Sequence, residues 1–510
     1  MSDVAIALNR FGLGARPDAR PPARPKAWLI DQFADYQPRP AALADLPTSA
    51  AVAADLATYQ QERRAMRQQG GADGARRTRP VVDNARMATP APAMAMAMAM
   101  AMATAKADVD DPKKAARQFA RRQARDDYGD LVGARATAAL ITPAPFVERM
   151  VHFWANHFAV SADKLTVVGL AGTLEMEAIR PHVLGTFADM LNAVERHPAM
   201  LLYLDQSVSV GPNSPLGQRV ARRVAMTGMN RKVGLNENLA REILELHTLG
   251  VRTGYTQGDV TEFARAMTGW TVAGIGGGPG ARLAGTADGQ AGDFVFAAAI
   301  HEPGARTIMG KTYPEGGEAQ AQAVLTDVAR SPATATHLAT KLARHFAGDT
   351  PPPAMVARVA AAFLRSGGDL PTVYRAIVES PEAWAEATVK FRTPWEWSIA
   401  VYRALGTRQV QAQAMVGLMN QLGQPVWKPG QPVGYDDVAG SWAGSDALMR
   451  RVEAADRFAT RAPQTIDART LGLQLFPDAL SSATAQSLAR AESPGQALAL
   501  LLVAPEMMRR

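Results

Sequence analysis

NENLAREILELHTLG, residues 236–250, has the pattern of a helix that is buried on most of its sides. At about 100° per residue, Ile243 falls near Leu239, and the other apolar residues widen this arc to more than half of the circumference. Glu242 and His247 lie within the apolar arc. Such a helix packs inside a protein, where a carboxylate or an imidazole must be paired, ligated or neutralised. The segment therefore predicts a helical core that contains ionisable groups.

The spacing of these two groups limits what they can do together. Glu242 and His247 are five positions apart, which places them about 140° apart around an α-helix. They cannot hold one ion as a His-x-x-x-His pair on a single helix face does. We expect each of them to serve a different site or to meet partners from another helix.

Two other segments also carry candidate residues. His157 lies near the centre of the apolar arc of a predicted helix over residues 146–159. His301 and Glu302 form a histidine–carboxylate pair in a loop beside Gly304. Loops carry a large share of binding and catalytic residues, so this pair joins the candidates.

Together these residues support the hypothesis of a metal or acid–base site in a helical cleft. The predicted metal ligands are His157, Glu242 and His301, and the predicted catalytic residues are Glu242, His247 and Glu302. Imidazole and carboxylate ligands suit a transition metal such as Zn, Fe or Mn, and a metal-bound water would act in hydrolysis or oxidation. The alternative for each residue is a structural hydrogen bond in the core, because buried polar groups are usually satisfied in that way.

The composition excludes several classes of site. The chain of 510 residues contains no cysteine, so it has no disulfide, thiolate nucleophile, zinc–thiolate site or iron–sulfur cluster. No apolar run reaches the length that crosses a bilayer, and the first residues lack the apolar core of a secretory signal. We therefore expect a cytoplasmic protein without a transmembrane segment, unless a partner carries it out of the cytoplasm or the start of the chain was trimmed.

The basic charge of the chain is confined to one segment. The formal net charge is +7, and residues 61–125 hold 14 Lys or Arg residues against 6 Asp or Glu residues, so the remainder is close to neutral. Phe119 is the one aromatic residue in that window, whereas single-stranded nucleic acids are bound through base stacking on aromatic side chains. The segment is expected to be a solvated basic insert and not a nucleic-acid site, with contact to an anionic surface or partner as the alternative.

Breaks in the helical pattern predict the domain organisation. The predicted parts are residues 1–64, an N-terminal helical part of the core; 65–112, a disordered basic and Ala-Met-rich insert; 113–394, the helical core; and 395–510, a C-terminal helical lobe. Residues 294–296 and 307–309 predict a short β-hairpin near residues 290–310. The predicted fold class is therefore all-α, a large multi-helical domain with a small β-hairpin excursion.

The insert contains a tract in which Ala and Met alternate, from residue 93 to residue 102. A period of two gives no helical face, although both residues favour helices. The tract is interpreted as a low-complexity expansion, and the alternative is a Met-x-Met set of soft ligands for Cu(I).

Several short runs of the chain together resemble one bacterial family. The runs are FWANHF (153–158), RPH (180–182), HPAMLLYLD (197–205), NENLAREILELHTLG (236–250), YTQ (255–257), TGW (268–270), HEPG (301–304) and KLARHF (341–346). From about residue 9 to near residue 510, the chain resembles the family called domain of unknown function 1800. The resemblance implies a predominantly helical, uncharacterised protein, and it supplies no catalytic residues.

Two positions depart from the pattern of that family. Ala155 stands where many members carry a second His, and Glu302 stands where most carry Asp. If the family has a site there, the first change removes a ligand and the second preserves a carboxylate. Genes of the family often neighbour those of domain of unknown function 1501, which looks like a sulfatase or phosphatase relative and often bears a twin-arginine signal. The resemblance thus implies a protein partner from that second family, and export together with it.

Two functions from different classes follow from these observations. The first is a metal-dependent enzyme in which His157, Glu242 and His301 converge in a cleft. The second is a non-catalytic helical scaffold that binds a neighbouring enzyme and uses the basic insert as a tether. The distances between the three side chains discriminate the two functions. Metal–ligand bonds are about 2 Å long, so side chains more than about 10 Å apart cannot share an ion.

Overall fold

The computed structural model describes residues 2–74, 112–227, 234–275, 289–387, 390–463 and 465–510. Helices dominate these residues, and the described strands form two antiparallel sheets of two strands each. The predicted all-α class with a small β excursion is confirmed. Most of the predicted insert, including the Ala-Met tract, lies outside the described residues, and its first residues, 65–74, belong to a helix.

α-Helices follow one another along the described chain. In the first half they are α1 (Asp3–Ile6), α2 (Pro25–Asp35), α3 (Ser49–Gly74), α4 (Pro112–Ile141), α5 (Pro145–His157), α6 (Leu165–Val168), α7 (Ala171–Leu174), α8 (Phe187–Arg196), α9 (Pro198–Tyr203), α10 (Pro215–Thr227), α11 (Asn238–Glu242) and α12 (Gln257–Met267). In the second half they are α13 (Glu318–Ala329), α14 (Pro332–Ala347), α15 (Pro353–Ser366), α16 (Leu370–Glu379), α17 (Pro394–Ala404), α18 (Ala412–Gln421), α19 (Ser445–Arg461), α20 (Ala468–Leu475), α21 (Ser482–Ala489), α22 (Pro494–Leu502) and α23 (Pro505–Met508). Among the described helices, none combines the length and the apolar character needed to cross a bilayer.

Side-chain caps explain where two important helices begin. Thr256 and Asp259 form a capping box at α12, in which each side chain accepts a hydrogen bond from the other residue's backbone amide. Thr followed three residues later by an acidic residue is a sequence signature of such a helix start. Thr393 and Glu396 form the same arrangement at α17. The second box fixes the Glu396 carboxylate at the first turn of α17, beneath the site described below.

Part of the decisive helix is a π-helical turn. The described π turns are Ala7–Phe11, Glu175–Ile179 and Ile243–His247. The last one continues α11, and the amide of Leu249 donates to the carbonyl of Leu244, five residues earlier. Gly250, at φ 93°, follows the helix in a conformation that suits glycine. Because a π turn holds more residues than an α turn, the expected separation of Glu242 and His247 by about 140° does not apply here.

The strands pair differently from the prediction. β1 (Trp270–Val272) pairs with β2 (Phe294–Phe296), and β3 (Arg306–Ile308) pairs with β4 (Lys311–Tyr313). The predicted hairpin between residues 294–296 and 307–309 is therefore wrong. β1 is buried along its whole length, so its residues do not alternate between buried and exposed as those of a strand with one solvated face do. In the sequence, β1 comes shortly after the end of α12.

A tight turn explains the pairing of β3 with β4. Met309 and Gly310 connect the two strands, and both have positive φ, 50° and 77°. Positive φ at both central residues is typical of the two-residue turns that match the twist of a hairpin. Methionine is not a residue that signals such a turn, so the sequence pattern does not reveal it.

One hydrophobic core extends from Ile6 to Met508 among the described residues. The ring of Phe11 stacks on that of Phe346 in α14, with centroids 5.1 Å apart. Trp397 of α17 is fully buried and donates to the carbonyl of Leu502. These contacts join the N-terminal, central and C-terminal segments, and the predicted domain boundaries stay predictions.

A buried ion pair anchors α5. The carboxylate of Glu148 accepts two hydrogen bonds from the guanidinium of Arg180, at 2.8 and 2.7 Å. Burial alone would raise the pKa of Glu148, but the charge of Arg180 outweighs it and lowers this pKa, so the pair is ionic. The bidentate contact fixes the orientation of α5, which forms one wall of the cavity described next.

Replacing Met309 should test the turn between β3 and β4. Asn tolerates positive φ better than Met, whereas a β-branched residue opposes it. We expect Met309→Asn to raise the free energy of unfolding by about 0.5 kcal/mol and Met309→Val to lower it by about 1 kcal/mol. Equilibrium urea denaturation of both variants measures the difference, and equal stabilities would contradict a left-handed residue at this position.

Candidate functional site

A cavity of about 220 Å³ opens between α5, α14, the start of α17 and a loop within residues 424–437. His157 of α5 lies in its wall, and so does Trp395 of α17. The guanidinium of Arg135 from α4 packs on the Trp395 ring, 4.3 Å from the ring centroid. Apolar and aromatic walls with a few convergent charges are the usual features of a small-molecule site.

One wall of the cavity is formed by basic side chains of α14. His337, Lys341, Arg344 and His345 follow one another at the spacing of a single helix face, and the last three line the cavity. Phe346 lies on the other side of the helix and is fully buried. α14 is therefore an amphipathic helix whose polar face is basic and turns toward a cavity.

Lys341 and His157 form a hydrogen-bonded pair in the cavity. The Lys341 Nζ lies 2.9 Å from His157 Nδ1, and His157 Nε2 lies 3.1 Å from the backbone carbonyl oxygen of His247. A carbonyl oxygen only accepts, so Nε2 carries the hydrogen and Nδ1 accepts from Lys341. Burial and then the charge of Lys341 hold the pKa of His157 well below its usual range. The imidazole is therefore a neutral proton acceptor with a fixed orientation.

The π turn at Ile243–His247 supplies the carbonyl groups that orient two histidines. The carbonyl of His247 accepts from His157, and the carbonyl of Leu246 accepts from His337 Nε2 at 3.1 Å. Carbonyls at the end of a helix lack partners within it and are free to bind side chains. π turns occur frequently at functional sites, and this one sets the direction of the His157 ring.

The Lys341 amine lacks an acidic partner. Among the described residues it forms no salt bridge, and its one side-chain hydrogen bond goes to His157. Burial lowers the pKa of Lys341 to about 8, while the charge of Asp437 opposes this shift and that of Arg344 adds to it. An appreciable fraction of the amine is therefore neutral near pH 7.5, the form in which lysine acts as a base or a nucleophile.

The guanidinium group of Arg344 has no hydrogen bond or salt bridge among the described residues, and its Nε is buried. A guanidinium presents a planar fork of donors that matches carboxylate and phosphate oxygens. Because Arg344 lies one turn beyond Lys341 on the same helix face, the two side chains form a binding surface for an anion.

The carboxylate of Glu396, which also lines the cavity, already has cationic partners. It contacts the guanidinium of Arg149, and Arg510 Nη2 lies 3.0 Å from its Oε1. Burial alone would raise the pKa of Glu396, but these two guanidinium groups hold it well below its usual range. Glu396 is thus ionised, and it does not neutralise Lys341 or Arg344.

Asp437 is paired in the same way. Its carboxylate accepts a hydrogen bond from His345 Nδ1 at 2.8 Å and lies 3.1 Å from Lys390 Nζ. Burial alone would raise the pKa of Asp437, and His345 and Lys390 lower it to about 2. Glu396 and Asp437 are therefore engaged with other groups, and Asp436, the third carboxylate of the lining, accepts a hydrogen bond from the Ser441 hydroxyl. Among the described residues none of the three forms a salt bridge with Lys341 or Arg344, so the charge of these two side chains is available to a ligand.

A glycine allows the loop to close over α5. Gly434 adopts φ 80°, and a Cβ atom there would lie 2.3 Å from the carbonyl oxygen of Asn156. The Asn156 side chain donates to the carbonyl of Tyr435 and accepts from its amide, both at 2.8 Å. The loop is thus held on α5 by an approach that only glycine permits.

The structure places two of the predicted site residues, His157 and His247, side by side, with ring centroids 6.2 Å apart. His157 lies in the cavity, whereas the His247 ring is fully buried behind it, with Nδ1 2.7 Å from the Glu195 carboxylate of α8. His247 reaches the cavity wall only through its backbone carbonyl. Glu242 is half-buried and has no side-chain hydrogen bond among the described residues, and burial raises its pKa.

His301 and Glu302 form structural contacts elsewhere. His301 Nδ1 donates to the carbonyl of Thr268 at 2.7 Å. The two oxygens of Glu302 accept hydrogen bonds from the backbone and side-chain nitrogens of Asn213, at 2.7 and 2.6 Å. These bonds tie the loop after β2 to the loop before α10. Neither residue lines the cavity.

The predicted metal ligands do not meet. Within the described ranges, no three His, Asp or Glu side chains form a group that could hold a metal ion. His157 is engaged with Lys341 and a backbone carbonyl, and His301 binds the carbonyl of Thr268. The structure therefore does not assemble His157, Glu242 and His301 into one site.

Sequence reasoning missed the two residues that define the cavity. Lys341 and Arg344 appear in the KLARHF run, where basic residues on a helix are ordinarily taken as a solvated face. The sequence does contain a pattern that could have indicated this site. Four basic residues share one face of the helix, and the segment from 332 to 347 contains no acidic residue. An uncompensated basic stripe of this kind favours an anion site.

Comparison with known proteins agrees with the resemblance seen in the sequence. A family described as "Protein of unknown function (DUF1800)" has a model that matches residues 6–509. No curated protein and no solved structure matches the chain. The match spans all elements that form the cavity.

The lowered pKa of Lys341 predicts a pH dependence of stability. The unfolded lysine titrates near 10.4, and the native one near 8, so the unfolded chain binds an extra proton between these values. The free energy of unfolding should therefore rise with pH across this window. Relative to Lys341→Met, the wild-type value should rise by roughly 2 kcal/mol between pH 7.5 and pH 10.

Urea denaturation at each pH measures this difference, and Lys341→Arg provides the control. Its guanidinium stays protonated in both states, so its stability relative to Lys341→Met should not change with pH. A wild-type curve parallel to that of Lys341→Arg would show that Lys341 titrates normally.

Proposed function

Because this chain belongs to the DUF1800 family, whose description carries no activity, we propose from the cavity itself that it is an enzyme acting on a small anionic substrate. The observation that supports the proposal is the pair of unpaired cations on one face of α14. Lys341 and Arg344 line one cavity, and neither forms a salt bridge among the described residues. Like charges in one partly enclosed space repel each other, and an anion between them relieves that repulsion.

Each residue has a distinct role in the proposal. Arg344 binds the anionic group of the substrate through its guanidinium fork. Lys341 is the reacting amine, and His157 accepts or returns its proton at Nδ1. The packed pair of Trp395 and Arg135 forms a rigid wall that limits the size of the ligand.

In the proposed enzyme the site is still a cleft between helices, as the sequence predicts, but the reacting group is the Lys341 amine and not a metal ion. Metal-dependent hydrolysis or oxidation would need His157, Glu242 and His301 to approach one another, and it stays a prediction from the sequence. The scaffold hypothesis, with a partner from the domain of unknown function 1501 family, expects no small ligand in the cavity. Binding of small anions therefore discriminates the scaffold from the enzyme.

Anion binding can be measured by isothermal titration calorimetry on the full chain. The probes are inorganic phosphate, acetate and oxamate, each titrated at low ionic strength because salt screens the attraction. We expect at least one of them to bind. Arg344→Gln should weaken that binding by tenfold or more, because the charge-assisted hydrogen bonds to the guanidinium are lost.

Arg365→Gln is the matched control. Arg365 lies on the exposed surface of α15, outside the cavity lining, so its substitution removes the same charge without touching the site. Unchanged affinity in Arg365→Gln together with weakened affinity in Arg344→Gln supports the proposal. Equal affinities in both variants, or no binding of any probe to the wild type, would overturn it in favour of the scaffold.

A further inference from the structure

The arrangement around Lys341 points to one class of substrate, and this inference rests on the proposed function. We propose that Lys341 forms a Schiff base with a small acid that carries an aldehyde or ketone group beside its carboxylate. Arg344 would hold the carboxylate, and the Lys341 amine would attack the carbonyl carbon. Three features of the cavity support a Schiff base: the environment of the Lys341 amine, the orientation of the His157 ring and the position of Arg344.

The environment of Lys341 differs from that of a structural lysine in the same region. Lys390 is also buried, and its ammonium lies 3.0 Å from Asp349 and 3.1 Å from Asp437. Lys390 therefore has two carboxylate partners. Among the described residues, the one side-chain hydrogen-bond partner of Lys341 is the neutral imidazole of His157, and Lys341 faces a cavity that a ligand can enter. An amine in that setting is available for bond formation with a carbonyl group.

The His157 ring is oriented to manage the protons of this reaction. Its Nε2–H is held by the carbonyl of His247, so the lone pair of Nδ1 points at the amine. The His247 ring is itself fixed by Glu195, at 2.7 Å. The direction of the lone pair is thus built into the fold before any substrate binds.

The reaction balances without any further reagent. The Lys341 nitrogen forms a bond to the carbonyl carbon, and one amine proton passes through His157 Nδ1 to the carbonyl oxygen, which gives a carbinolamine. The carbon–oxygen bond then breaks, the second amine proton leaves with that oxygen as water, and a carbon–nitrogen double bond remains. One carbonyl compound and one amine become one imine and one water.

The position of Arg344 sets the size of the acid. Side chains three residues apart on a helix have Cβ atoms about 5–6 Å apart, so Lys341 and Arg344 can reach two neighbouring groups of one small substrate. A cavity of about 220 Å³ also suits a compact acid, since the pockets that hold drug-sized ligands have volumes of roughly 300–1,000 Å³. Acids with the carbonyl directly next to the carboxylate fit both requirements.

Reductive trapping tests the inference on the full chain. The protein is incubated with glyoxylate or pyruvate and sodium cyanoborohydride, which reduces an imine to a stable secondary amine, and the labelled lysines are mapped by peptide mass spectrometry. We expect the added group on Lys341 at least tenfold above that on Lys428, a surface lysine with 45% of its side chain exposed. Lys341→Arg should lose this label. Uniform labelling of the lysines, or none on Lys341, would overturn the inference.

Arg344→Gln provides a second readout that does not depend on the fold alone. It should raise the glyoxylate concentration needed for half-maximal labelling of Lys341 by tenfold or more, and change labelling by the uncharged acetaldehyde far less, because acetaldehyde has no carboxylate for Arg344 to bind. Arg365→Gln should leave both unchanged. Loss of labelling by both carbonyl compounds in Arg344→Gln would contradict a role for Arg344 in binding the carboxylate.

Oxamate separates this inference from the proposed function. It has the shape of pyruvate, but its amide carbonyl does not form an imine. Binding of oxamate without trapping of glyoxylate or pyruvate would leave the anion-binding enzyme in place and overturn the Schiff base. Absence of both binding and trapping would overturn the two proposals together.

Discussion

The buried carboxylate of Glu396 is the contact on which the candidate site depends. One of its oxygens meets the guanidinium groups of Arg149 and Arg510, and the other accepts the backbone amide of Thr393 at 3.0 Å. A single side chain thereby joins α5, the start of α17 and the C-terminal segment. Removing one partner of such a buried group costs about 3–5 kcal/mol, because an uncompensated charge stays behind. The guanidinium groups of Arg149 and Arg510 carry two positive charges, and the Glu396 carboxylate carries one negative charge. This group of three side chains therefore keeps a net positive charge beneath the cavity.

The buried histidines show that burial alone does not identify a functional group. His301 and His157 are both buried, and each has one ring nitrogen bound to a backbone carbonyl. In the described part of the chain, the second nitrogen of His301 is enclosed without a hydrogen-bond partner, whereas that of His157 faces an amine at the edge of a cavity. The direction in which the second ring nitrogen points distinguishes a structural histidine from a chemically active one. That direction depends on the tertiary structure and cannot be predicted from the sequence.

The fold was more accessible from the sequence than the site. Helical periodicity and the Thr256 capping box depend on neighbours within a few residues, so the all-α class and α12 follow from the pattern. The π turn at Ile243–His247 and the Met309–Gly310 turn depend on tertiary packing, which overrides local preference. His157 stood out as a polar residue among apolar ones. Lys341 did not, because only the packing of α14 against α5 shows that its basic face meets a cavity and not solvent.

The floor of the cavity also has a consequence for the order of events during synthesis. Arg149 and Glu396 are 247 positions apart, and the His345 carbonyl and Arg510 are 165 positions apart. A ribosome adds roughly 5–20 residues per second, so α5 and α14 leave it many seconds before Arg510 does. Contacts between such distant segments also form slowly. The growing chain therefore carries an unfinished cavity until Arg510 has left the ribosome, and the cationic site matures only when the segment that contains Arg510 has docked.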